Sequence, residues 1–268
     1  MKKQFLIWAP LAFLITFALS CSTTPVSGNK AFLLTSSASE NQQGDEAYKE
    51  ILQKEKVVSG TPEARMVEEI GKRIAAVANQ PDFKWEFKTL QSDEPNAFCL
   101  PGGKVAVYTG IFKYAKNEAG LATVMGHEIG HAIARHGGQR MSQQMATNAA
   151  LAGLAVVGLA KMDNTKKTIA MAALGAGATY GIILPFSRKH ETEADEIGLV
   201  LMSKAGYDPR ESVNFWNRFS VASAGKAPPE FLSTHPNSDT RRDHLRSLLP
   251  KVLPDYESSS KLGLGKSF

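Results

Sequence analysis

Residues 127–131 read His127-Glu128-Ile129-Gly130-His131, and the rest of the chain is best read outward from them. Two imidazoles four residues apart on a helix lie one above the other on a single face, where both can reach one ion. Neutral imidazole suits zinc, and a catalytic zinc site has three protein ligands with the fourth position left for water. Glu128 is placed to face that water as a general base, taking its proton while the metal acidifies it and polarises the scissile carbonyl.

The residues around this run predict the helix that carries it. Asn117 can cap it, the pattern continues through Met125 and Ile129, and Gly137-Gly138 is expected to end it just past His136. A third ligand is sought on a later predicted helix, from about Arg188 to Ala205. There Glu191-Thr192-Glu193-Ala194-Asp195 puts Glu191 and Asp195 four apart on one face. Glu191 would coordinate. Asp195 would accept the second N–H of a zinc-bound imidazole and fix its orientation. Without the upstream histidines such carboxylates would read as a solvated helix face.

The remaining patterns predict an α+β, mainly helical domain over residues 45–255 with a small sheet. Helices are expected from Glu46 to about Val57, and after Thr61-Pro62-Glu63 as far as Asn79-Gln80-Pro81. Phe83, Trp85 and Phe87 alternate with charged residues as a half-wet strand does, and a second strand follows Pro101-Gly102-Gly103 over Lys104 to Thr109. Two Ala/Gly-rich apolar stretches, 146–160 and 168–184, fall short of the length that spans a bilayer. They read as core or cleft-flanking helices, or as segments dipping into a membrane leaflet near a lipid anchor. Asp208-Pro209 starts a helix through Phe215 and Phe219, a shorter one follows Asp239, and residues 256–268 read as a flexible tail.

At the other end, Lys2 and Lys3 precede an apolar run from Phe5 to Leu19, the pattern of a secretory signal over residues 1–20. Ala18-Leu19-Ser20-Cys21 resembles the bacterial lipobox, which makes Cys21 the acylated mature N-terminus, with an uncleaved membrane anchor as the alternative. Ser22 after the cysteine resembles the lipoproteins delivered to the outer membrane. The stretch 21–44, rich in Ser, Thr, Asn and Gln, then reads as a flexible tether. With Cys21 acylated, Cys99 has no disulfide partner in the chain. The formal net charge is +5, or +3 without Lys2 and Lys3, too mild for a nucleic-acid footprint.

Four segments in order resemble one family of zinc peptidases: Asn96-Ala97-Phe98 with Pro101-Gly102-Gly103, then the HEIGH run, then ETEAD at 191–195, then Ser233-Thr234-His235-Pro236 with Arg241 six beyond His235. This is similar to the gluzincin metallopeptidases that include the CAAX prenyl protease, the HtpX heat-shock protease and the mitochondrial OMA-type proteases. The resemblance covers roughly residues 45–250 and is strongest to the small periplasmic lipoprotein branch, which lacks the long transmembrane helices of the first two. It implies a zincin-like fold, one zinc per chain on His127, His131 and Glu191, Glu128 as catalytic base, and Asp195 as the supporting carboxylate. It also implies that Asn96, Ala97 and Phe98 line the cleft as an edge strand, where an extended substrate adds its backbone.

Pro236 restricts His235 to extended backbone, so its imidazole can be held toward the zinc cleft. There it either fills the fourth metal position at rest or donates a hydrogen bond to the oxyanion; a surface histidine is the plainer alternative. Arg241 can anchor this segment or pair with a carboxylate near the metal. His136, His190 and His244 read as solvated surface residues. The implied function is hydrolysis of misfolded or misassembled envelope proteins, with a chaperone of the same fold, or a lipoprotein in which zinc only staples the structure, as competing readings.

Overall fold

The computed structural model describes residues 21–157, 163–178, 184–223, 231, 235 and 239–262. The leader over 1–20, residues 232–234 and 236–238 around His235, and the tail beyond 262 lie outside the described residues. The chain divides into two compact units, one of residues 1–36 and 135–187, the other of 37–134 and 188–268. The second is thus interrupted in sequence: the chain leaves it after Ala134 and returns to it at Arg188.

The first unit contains an antiparallel hairpin of β1 (Cys21–Thr23) and β2 (Lys30–Phe32). It also contains helices α5 (His136–Val157) and α6 (Asn164–Ala178), which pack on one another. Its hairpin corrects the expectation of an unstructured tether over 21–44. The polar residues that suggested a tether are used locally: Thr24 Oγ1 and Ser27 Oγ are 2.6 Å apart, and Thr24 Oγ1 donates to the Asn29 carbonyl. Such side chains favour turns as much as linkers. The hairpin is tied to α5 by the Leu34 amide, which donates to Ser142 Oγ at 2.8 Å.

In the second unit, α1 runs over Ser37–Lys54, nine residues earlier than its expected start. The sheet has the order β3-β4-β6-β5, with β3 (Val57–Val58), β4 (Glu86–Leu90), β5 (Ala97–Leu100) and β6 (Lys104–Tyr108). β4 and β6 are parallel, whereas β5 runs antiparallel to β6 and forms the edge. Helix α2 (Pro62–Ala78) starts at Thr61, whose hydroxyl accepts the Ala64 amide, and stops at Asn79 with φ 48°. It packs its apolar face on β4 and on α4 (Glu118–Ile133), which follows the short α3 (Phe112–Ala115). Phe83 and Trp85 precede β4, so that strand begins later than their alternation suggested.

Helix α4 is buried from Ala119 through Ile133. Asn117 caps it as expected, its Oδ1 accepting the Gly120 amide at 2.8 Å. Its end departs from expectation. The helix stops at Ile133, and Arg135 reverses the chain at φ 56°, while Gly137 and Gly138 lie inside α5. Glycine is common at such a stop but not required. Helix α7 (Leu184–Lys204), from Arg188 onward, with α8 (Arg210–Ser223) and α9 (Asp239–Ser258), completes the unit. α9 is longer than the short helix expected, and Tyr256, assigned to a flexible tail, is buried on it; the Leu262 amide donates to the Gly206 carbonyl.

Candidate metal centre

The backbones of α4 and α7 approach closely because small residues face each other where they cross. A Cβ on Gly198 would stand 2.7 Å from the Gly126 carbonyl carbon and the His127 amide nitrogen, and one on Gly130 would stand 2.8 Å from the Ala194 oxygen. This close approach lets the short Glu191 side chain reach both histidines of α4.

Four residues gather there: His127, His131, Glu191 and His235 offer ligand atoms that all lie within 4.8 Å of one another. His127 Nε2 is 3.1 Å from His131 Nε2 and 3.4 Å from Glu191 Oε2, and His131 Nε2 is 3.3 Å from Glu191 Oε1. A tetrahedron with metal–ligand bonds of about 2.0–2.1 Å has edges of about 3.3–3.4 Å, so these separations fit zinc. His235 Nδ1 stands 3.2 Å from His127 Nε2 and 3.1 Å from Glu191 Oε2, at the remaining corner, and its Nε2 is 3.4 Å from Glu128 Oε1.

Behind these groups, Asp195 Oδ1 lies 2.9 Å from His127 Nδ1. Arg241 grips Asp195 with two hydrogen bonds and places Nη1 3.1 Å from Glu191 Oε2. Burial alone would raise the Asp195 pKa; the charge of Arg241 and the hydrogen bond from His127 overcome it and hold the carboxyl below its ordinary value. Burial likewise works to raise Glu191, and hydrogen bonds from His127, His131 and His235 depress it strongly. With neutral imidazoles, Glu128, Glu191 and Asp195 bring three negative charges against the single charge of Arg241, an excess that a divalent cation balances.

Sequence reading missed the aromatic residues that back this centre. Trp216 on α8 lies edge-on to His127 at 5.8 Å and carries the Arg241 guanidinium over its face at 4.5 Å. Phe231 stacks on Trp216 at 5.8 Å and meets the His235 ring at 4.8 Å. Phe215 and Phe219 had marked α8 as apolar, but no motif singles out Trp216 or Phe231. The reading of His136 and His190 as solvated is also overturned: both are buried, because charged neighbours such as Arg188 and Lys189 point outward while the histidines face inward. His244 is part-buried and bonded to Glu196 at 2.7 Å.

The expected cleft residues fall at the sheet edge, with Ala97 and Phe98 in β5 and Asn96 immediately before it, its carbonyl accepting the Tyr108 amide at 2.9 Å. β5 also packs on α4. Burial pushes the Cys99 thiol in this strand well above its ordinary value, and the nearby Glu128 charge adds to the effect.

A helix carrying HExxH, faced by a carboxylate from a second helix and backed by an aspartate, defines a gluzincin-type metallopeptidase. The chain belongs to peptidase family M48, whose family model matches residues 62–249. It is 37% identical over 240 residues to the mitochondrial metalloendopeptidase OMA1 of Schizosaccharomyces pombe, covering 88% of this chain and 68% of that protein. To OMA1 of Saccharomyces cerevisiae it is 33% identical, covering 91% of this chain and 73% of the relative. It is also 30% identical to the β-barrel assembly-enhancing protease of Escherichia coli K12, covering 91% of this chain and 51% of that protein, so it spans about half the length of this relative. It is therefore a zinc metalloendopeptidase by family, acting on protein or peptide substrates.

Proposed function

We propose that this peptidase cleaves misfolded or misassembled proteins of a bacterial cell envelope, held by an acylated Cys21 at the periplasmic face of the outer membrane. The observation that carries the chemistry is the tetrahedral spacing of His127, His131 and Glu191 beside Glu128. The location rests on Lys2, Lys3, the apolar run and Ala18-Leu19-Ser20-Cys21. The substrate class draws on the name of the Escherichia coli relative, which works in β-barrel assembly.

In this reading His127, His131 and Glu191 hold one zinc, which supplies Lewis acidity to a water and to the scissile carbonyl. Asp195 accepts the His127 Nδ1–H, which leaves the Nε2 lone pair aimed at the centre. Glu128 takes the proton of the attacking water and passes it to the departing amine. His235 lies at the fourth corner; with that corner given up to the substrate, its ring N–H would donate to the oxyanion. Asn96, Ala97 and Phe98 receive the extended substrate along the β5 edge.

Glu128→Gln tests this directly. It should keep about one zinc per chain, lose peptidase activity, and retain uncleaved envelope proteins. Full peptidase activity in that variant refutes the mechanism, while undiminished envelope function without cleavage favours a chaperone that holds proteins. Mass spectrometry of the mature N-terminus tests the anchor: a processed end other than acylated Cys21 removes it.

A further inference from the structure

Charge is segregated between the two units. From residue 21 onward, the first unit (21–36 and 135–187) contains six lysines and arginines against one acid, Asp163, whereas residues 37–134 and 188–268 have twenty-three basic and twenty-five acidic side chains. Asp163, just before α6, is itself engaged by Lys166 at 3.1 Å. Lys30, Arg140 and Lys166 are all exposed.

The same unit exposes apolar side chains. Among the described residues, four of the six exposed large hydrophobics lie in this unit, Val26 at 51%, Leu34 at 46%, Met145 at 50% and Leu174 at 39%; the other two, Val57 and Val221, stand singly in the second unit. Ala149, Ala150, Ala172 and Ala173 are exposed beside them on α5 and α6. Val26 is the most telling. It sits at the β1–β2 turn with φ 73°, a backbone state that a β-branched residue rarely adopts. A strained valine turned to solvent needs a reason beyond the turn, since glycine would make that turn without strain.

We propose that this unit seats on an anionic lipid bilayer, its apolar side chains entering the headgroup boundary and its cations meeting lipid phosphates. No helix among the described residues is long and apolar enough to cross a membrane. Apolar exposure joined to uncompensated basic charge is the composition of elements that lie in the interface instead. The strand carrying Cys21 belongs to the same unit, so acyl chains attached there would hold this surface against the lipid. The contact stands without acylation and without the catalytic reading.

The test uses the chain from residue 21 with Cys21→Ser, so that neither acyl group nor leader contributes, and sediments it with phosphatidylcholine vesicles with and without phosphatidylglycerol. Binding should appear with the anionic vesicles, weaken with salt, and fall about five-fold per cation removed in Lys30→Gln and Lys166→Gln. Val26→Asp and Leu174→Asp should weaken it further, while zinc content and cleavage of a soluble peptide stay unchanged in all four variants. These positions are exposed, so folding is not at stake. A chain that stays in the supernatant with anionic vesicles at low salt overturns the proposal. So does equal capture by dextran sulfate with no effect of Val26→Asp and Leu174→Asp, which would mark a polyanion site.

Discussion

Arg241 and Asp195 form a two-pronged buried pair, Nε to Oδ2 at 2.7 Å and Nη2 to Oδ1 at 2.8 Å. Because Asp195 orients His127 and Arg241 also touches Glu191, one guanidinium fixes two of the proposed metal ligands. Arg241→Lys keeps the charge but loses the planar fork. It is expected to lower zinc affinity by about 10- to 100-fold, measured by competition with a chelator. Unchanged affinity would reduce Arg241 to a packing role.

Glu191 and Glu193 stand about 200° apart around α7, and both are buried. Glu191→Ala should abolish tight zinc binding. Glu193→Ala should cost stability, read as a lower Tm, while leaving about one zinc per chain. The reverse ranking by metal analysis would move the ligand assignment to the other carboxylate.

Gly198 is where α7 meets α4 most closely, and an added methyl would press on the peptide that carries His127. Gly198→Ala should therefore destabilise the fold by about 1–3 kcal/mol, the usual cost of overpacking. It should also weaken zinc binding, because the helices must separate to accommodate it. An unchanged Tm with full zinc content would show that the crossing has slack.

His235→Ala is expected to retain zinc and to lose about 10- to 1,000-fold in kcat/KM through the missing oxyanion donor. A faster enzyme would instead mean that His235 serves only to block the fourth corner. An unchanged rate would leave it no part in either state.

What was legible in sequence followed from periodic spacing. The four-residue steps between His127 and His131 and between Glu191 and Asp195 placed the ligand faces, and Asn117 marked the start of α4. The end of that helix was hidden because Arg135 takes a left-handed backbone without a residue type that announces it. Trp216 and Phe231 were missed because an aromatic behind a metal ligand looks like any other core residue. The β1–β2 hairpin was obscured by polar residues that fold the turn they were thought to dissolve.

The interruption of the catalytic unit between Ala134 and Arg188 bears on how the enzyme assembles. His131 and Glu191 are sixty residues apart in sequence, so a metal shared between them closes a long chain segment as a clip would. The entropy of such a closure grows only logarithmically, by about 0.6 kcal/mol for each doubling of length. Lengthening or trimming residues 158–162, between α5 and α6, therefore changes that closure cost by far less than 1 kcal/mol. The intervening segment can evolve in size while the proteolytic centre experiences almost none of the change.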